Sequence, residues 1–233
     1  MEGDDWPGAD AVGTLYRATR DMMRATEPEA VASVVVESAE AILSLPVTGV
    51  HLDDGEGTLR PAAVTSEVVE RFGEEPTYTD ADGLVWDAYR DGDPVLVSDT
   101  AERGLETPMG SGIVTPVGDH GVLITSADEP DAFDERSLEL VKLLAANAEA
   151  ALDRIERERR LEGLHAASRE VMVAPSERAV LDVATDVARS VLDFEVNGVH
   201  LLSEDGTELV PVATTNTVRD LIGEPPTLSA DPD

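Results

Sequence analysis

The stretch TGVHLDDGEGTLRPAAVT, Thr48–Thr65, returns later in the chain as NGVHLLSEDGTELVPVATT, Asn197–Thr215. In both places a short apolar run meets a turn rich in glycine and acid, and a second apolar run follows. That pattern reads as two strands around a tight connection. Working outward with a shift of 149 residues, LYRATRDMMRA at Leu15 meets LHAASREVMVA at Leu164, and Ala30-Val31 meets Ala179-Val180. After one extra residue in the second hairpin, Pro61 meets Pro211 and FGEEPT meets IGEPPT. Agreement over about seventy residues with a single slip inside a turn marks a duplication.

The first copy continues past Asp82 through GLVWDAYRDGDPVLVSDT, SGIVTPVGDHGVLITSAD and a long helical pattern, whereas the second copy stops at Asp233. The expectation is one complete domain and the N-terminal half of another, the rest lost by truncation. AVASVVVESAEAIL places apolar residues at Val31, Val34, Val35, Ala41 and Ile42, one face of a helix. PVLVSD reads as a short buried strand, and GIVTPVGDHGVLITSA as a hairpin with Gly118-Asp119-His120-Gly121 at its tip. In AFDERSLEL, Asp134 is placed to cap a helix and Phe133 to staple against Leu138. From there Val141, Ala145, Ala148, Leu152 and Ile155 form a seam spaced four, three, four and three. Leu140, Leu143, Leu144 and Ala151 make a second apolar surface on the same helix. One face is expected to close the domain and the other to meet another helix, giving a homodimer through the closing and linker helix; the alternative is that the N-terminal helix, with Leu15, Met22 and Met23, absorbs the second face within a single chain. The two copies are expected to be joined by an almost continuous helix.

Composition narrows the chemistry. The 233 residues contain no cysteine, which excludes disulfides, thiolate nucleophiles, iron–sulfur clusters and thioether-linked tetrapyrroles. Acidic residues number 49 against 17 basic ones, of which only Lys142 is lysine, for a net charge of −32. Phosphate backbones and anionic membranes need a basic footprint that this chain lacks, so neither nucleic acid nor membrane is expected as a direct partner. The acidic residues lie within amphipathic patterns, as a solvated coat does, and an acid-rich, lysine-poor coat resembles that of cytoplasmic proteins from salt-accumulating halophiles. No run of eighteen apolar residues occurs and the N-terminus is acidic, so the expected location is the cytoplasm.

The element order, with the strings GLVWDAYRDGDPVLVSD, TPVGDHGVLITSA and FDERSLELVKLLAANAEAAL, resembles the GAF domain. With the acidity, it resembles the haloarchaeal GAF domains of sensor kinases and of regulators of the bacterio-opsin-activator type. The resemblance implies an α+β fold with a central antiparallel sheet flanked by helices, a ligand pocket on one face and dimerising helices on the other. The expected organisation is a flexible acidic terminus over residues 1–14, a GAF domain over 15–153, a helical linker over 154–163 and half of a second GAF domain over 164–233. The implied function is small-molecule sensing and signal relay in a cytoplasmic signal-transduction or transcription-regulatory protein. The alternative is a ligand-free dimerisation or spacer module. Enzymatic activity is not expected, because the GAF-related methionine sulfoxide reductases work through cysteine.

The expected pocket residues are Tyr78, Trp86 and Tyr89 as a stacking platform, with Asp99 at a strand end and His51 on the first strand. Each has a plainer reading. The aromatics could simply pack a small helix on the sheet, and Asp99 could cap the next turn. His51 and its counterpart His200, each without a ligand cluster, are expected to be hydrogen-bonded strand histidines, with no metal and no identifiable cofactor.

Overall fold

The computed structural model describes residues 9–43, 47–192 and 194–230, and the chain falls into two compact units, Met1–Ile155 and Glu156–Asp233. In the first, helices α1 (Ala9–Met22) and α2 (Pro28–Leu43) lead into strands β1 (Val47–Asp53) and β2 (Thr58–Val64). Helix α3 (Ser66–Phe72), strand β3 (Tyr78–Thr79), a 3-10 turn at Asp80–Asp82 and helix α4 (Leu84–Asp91) form an excursion. Strands β4 (Val95–Val97), β5 (Ser111–Pro116) and β6 (Gly121–Ala127) follow, and then helix α5 (Glu135–Val173). The α1 helix begins inside the terminus expected to be flexible, whose residues 1–8 lie outside the described residues.

The strands make one antiparallel sheet in the order β3-β2-β1-β6-β5-β4. The expected pairing of β1 with β2 is present, with Val50 opposite Ala63 and His51 opposite Pro61. That register skips Ala62. Proline has no N–H for the ladder, and a bulge beside it is how an internal strand accommodates one. β4 pairs only with β5 at the sheet edge and buries Val97 alone, so it is less enclosed than its valine-rich string suggests.

One sheet face is covered by α1, α2 and α5. Met22, Val31, Val35, Val50, Ile113, Leu123, Val141 and Leu144 share a single core there. The stripe that α2 buries is Val31, Ala32, Val35, Val36 and Ala39, while Ala41 is exposed and the side chain of Ile42 lies outside the described residues. Asp134 caps α5 as expected, its Oδ1 accepting from the Ser137 N–H at 2.8 Å, and Phe133 and Leu138 join the same core.

All five seam residues of α5 are buried in this core, and so are Leu144 and Ala151 of the second surface. Two helices from the same unit take up most of what looked like a spare face. Only Leu140 and Leu143 remain outside, Leu143 being 44% exposed. The sequence argument for a dimer therefore loses its broad second face.

The second unit contains helix α6 (Glu177–Ser190), strands β7 (Gly198–Leu202) and β8 (Glu208–Thr214), helix α7 (Asn216–Ile222) and strand β9 (Leu228–Ser229). Its sheet runs β7-β8-β9, and the register skip between Val199 and His200 falls at the position of the one between Val50 and His51. The Thr215 hydroxyl accepts from the Asn197 N–H much as the Thr65 hydroxyl accepts from that of Thr48.

Leu152→Ala should destabilise the first unit by about 2–5 kcal/mol, whereas Leu143→Ala should change stability by less than about 0.5 kcal/mol. Denaturant unfolding in molar salt distinguishes them, and equal effects would contradict this assignment of the faces.

Candidate functional site

The opposite face of the sheet is only partly filled. Leu59, Val114 and Val122 pack there against Ala88 of α4, with Trp86 and Tyr89 at the margin. Beside α3, Val47 packs with Val68 and Met109. Between these two clusters lies a cavity of about 500 Å³, within the range of small-molecule sites. Its floor includes Gly49 and His51 from β1, Ile113 from β5 and Thr125 from β6; α3 contributes Val68 and Phe72, and the loop before β5 contributes Thr107 and Met109. Tyr78 stands beside His51, their ring centroids 4.9 Å apart and their planes at 72°.

His51 is 2% exposed, and neither ring nitrogen has a hydrogen-bond partner among the described residues. The sequence-based expectation of a hydrogen-bonded histidine fails here for a geometric reason. The Pro76 carbonyl is close enough to favour the protonated ring weakly but does not reach hydrogen-bonding geometry. In the second unit the equivalent pair does meet, with His200 Nε2 3.3 Å from the Pro226 carbonyl. Burial dominates for His51 and lowers its pKa from 6.5 to about 4, with the Pro76 carbonyl opposing it. The ring is therefore neutral near pH 7, with one N–H to donate and one nitrogen to accept. Gly49 makes room for it: a Cβ there would sit 2.9 Å from the ring's Cε1 and 3.0 Å from Val64.

The buried hydroxyls of the residues around the cavity are already engaged, and that of Thr125 points with Thr48 to the helix side of the sheet. Thr125 Oγ1 lies 3.0 Å from Thr48 Oγ1, Ser111 donates to the Glu129 carbonyl at 2.7 Å, and Thr100 donates to the Met109 carbonyl. Tyr78 is held protonated, its pKa raised to about 12 first by burial and then by the nearby Asp82 carboxylate. Asp82 and Glu106, both exposed, belong to the cavity wall. No lysine or arginine lines it among the described residues.

Of the five expected pocket residues, the structure brings His51 and Tyr78 together in the cavity and leaves the other three outside it. Trp86 packs against Tyr89 edge to face at 5.6 Å. The Tyr89 hydroxyl ties α4 to the hairpin tips, 3.0 Å from Asp53 Oδ2 and 2.9 Å from the Asp119 carbonyl. Both aromatics thus take the plainer packing role. Asp99 caps the turn after β4, accepting from the N–H groups of Ala101 and Glu102 at 2.8 and 3.1 Å. Phe72, Thr107 and Met109 were missed, since nothing in their local pattern separates a cavity wall from an ordinary loop or helix end. His51 belongs to no cluster of three metal-ligating groups among the described residues.

The GAF domain family profile matches residues 25–153, more than half of the chain. The chain belongs to the GAF domain family. Among solved structures it is similar to the GAF domain of a phosphoenolpyruvate-protein phosphotransferase from Acinetobacter, at 16% identity and a TM-score of 0.53 over 63% of this chain and 95% of that one. The corresponding domain from Coxiella burnetii gives 18%, 0.52, 64% and 95%. A free methionine-R-sulfoxide reductase from Neisseria meningitidis, solved with its substrate, gives 18% and 0.55 over 68% of this chain and 96% of that one. At these identities the likeness establishes the fold alone. Among curated proteins no sequence matches. No helix of the described residues is long and apolar enough to cross a membrane.

An unfolded histidine titrates near 6.5 and folded His51 near 4, so between those values the unfolded chain takes up a proton that the folded chain refuses. This group's effect is nil above pH 6.5 and destabilising as the pH falls through the window. Relative to His51→Phe, the unsubstituted protein should lose on the order of 3 kcal/mol between pH 7 and pH 4. Paired unfolding titrations cancel the carboxylate background, and parallel curves for the two proteins would contradict the assignment.

Proposed function

We propose that this chain is a non-catalytic small-molecule sensing and signal-relay module of a cytoplasmic signal-transduction or transcription-regulatory protein. The observation that carries this reading is the cavity on the sheet, with one buried imidazole whose hydrogen-bonding capacity the protein leaves unspent. A spacer would be packed shut, because an unfilled cavity and an unpaired polar group both cost stability. Membership of the GAF family supports the sensing role. The lack of cysteine argues against thiol-dependent reduction, the chemistry on which related reductases rely.

The recurring bulge, the paired threonine contacts and the sequence repeat support a partial second GAF copy over residues 164–233. The acidic, lysine-poor coat supports a haloarchaeal origin and the cytoplasm as its location. A homodimer would use the residues of α5 that stay outside the first core, including Leu140 and Leu143. Relay would run from the cavity through β5 and β6 to α5, since Ile113 lines the cavity and also packs in the core that α5 completes.

Native mass spectrometry of protein purified in high salt provides the test. A sensor should retain a fraction carrying excess mass above 24.8 kDa that disappears on denaturation, or admit xenon to an interior site seen by NMR. Protein that shows neither has a closed pocket, and the spacer reading would then stand.

A further inference from the structure

The cavity limits the chemistry of what it can hold, and the limit comes from charge and hydrogen bonding together. Its wall is largely apolar, with Phe72, Val97, Met109 and Ile113 among its residues. Its charged side chains, Asp82 and Glu106, are both acidic, and no lysine or arginine lines it among the described residues. The whole chain carries a net charge of −32, so the long-range field reinforces the local one. An anion entering would give up its hydration and meet carboxylates with no cation to compensate, an arrangement that burial penalises strongly. A neutral molecule meets no such barrier, and the desolvation of a cation is offset by the Asp82 and Glu106 carboxylates.

The fully buried point of polar recognition is the His51 ring, with the Tyr78 hydroxyl and Ser126 Oγ, both less buried, also in the cavity lining. Thr100, Ser111 and Thr125 spend their hydroxyls on the protein itself, whereas both nitrogens of His51 lack a hydrogen-bond partner among the described residues although the residue is 2% exposed. His200, at the equivalent position of the second unit, is satisfied by a carbonyl. The repeat therefore permits a satisfied histidine at this position, and the first unit departs from it where the cavity lies.

Resting on the sensing reading above, we infer that the cavity takes a compact, mostly apolar molecule, uncharged or cationic, whose polar group hydrogen-bonds to the His51 imidazole, and that it rejects ligands bearing phosphate or carboxylate. Because the ring is neutral near pH 7, it can meet either a donor or an acceptor on such a molecule while offering no counter-charge to an anion.

Three probes of one ring system and different charge test this: indole, tryptamine and indole-3-acetate. Each is titrated at molar salt, which screens the outer coat and isolates the cavity, with binding followed by isothermal calorimetry and contact with the ring by the ring-nitrogen NMR signals of His51. The expected result is that indole and tryptamine shift those signals and bind at least about tenfold more tightly than indole-3-acetate, a difference of about 1.4 kcal/mol. His51→Phe should weaken indole at least about fivefold, and His51→Gln, which keeps a donor and an acceptor, should restore part of the loss. The measurement on the unsubstituted protein stands whether or not the variants fold. Indole-3-acetate binding as tightly as indole overturns the inference about charge, and binding that leaves the His51 signals unmoved overturns the inference about its role. Failure of all three probes to bind overturns the inferred ligand class. The sensing reading is decided separately, by the mass-spectrometric and xenon result, so failure of one is distinguishable from failure of the other.

Discussion

The pairing of β1 with β6 is the constraint on which the first unit depends. It joins two hairpins distant in sequence, setting Val47 opposite Ser126 and running to Leu52 opposite Gly121. At its end the strands approach so closely that a Cβ on Gly121 would lie 2.0 Å from the His51 carbonyl oxygen, and Gly121 adopts φ 155°. Only glycine tolerates both conditions. Because side chains alternate across a strand, fixing this register decides that Val50 faces the helices while Gly49 and His51 face the cavity. A slip by one residue would place an imidazole in the apolar core and a valine over the cavity. Core and site are thus two consequences of one ladder.

The two faces of the sheet differ in how fully they are closed. Three helices cover one side with interlocking aliphatic residues, and their burial supplies the main drive to fold. On the other side α3 and α4 are short and rest on separate small clusters, leaving space between them. The rigid face can then carry the open one. The unpaired histidine is a local cost that the well-packed side offsets.

Much of this fold was legible in the sequence, and the reasons for the remainder are specific. The β1–β2 hairpin, the β5–β6 hairpin and the capped start of α5 carry local signals in turn glycines, strand alternation and the Asp134 cap. The faces of α5 were harder to assign, because Leu144 and Ala151 look like a spare surface until α1 and α2 are seen to wrap around the helix. Of the expected site residues, His51 and Tyr78, picked out by strand position and aromatic scarcity, line the cavity. Trp86, Tyr89 and Asp99 were misplaced because proximity along the chain does not say which way a side chain turns. Tyr89 turns to the hairpin tips and Asp99 to its own turn. The state of His51 was beyond sequence reasoning, since the repeat predicts that it should match His200, and the two differ in burial and in whether a proline carbonyl comes within reach.

A crystal structure of the protein, at a resolution that reveals ordered water, decides whether the cavity is open and the His51 ring unpaired. The expected result is an open cavity between α3, α4 and the sheet, with no protein atom hydrogen-bonded to the His51 ring and with water or a small molecule at hydrogen-bonding distance from it. A ring hydrogen-bonded to the Pro76 carbonyl, as His200 is to that of Pro226, over a cavity filled by the side chains of Phe72 and Met109, would contradict it.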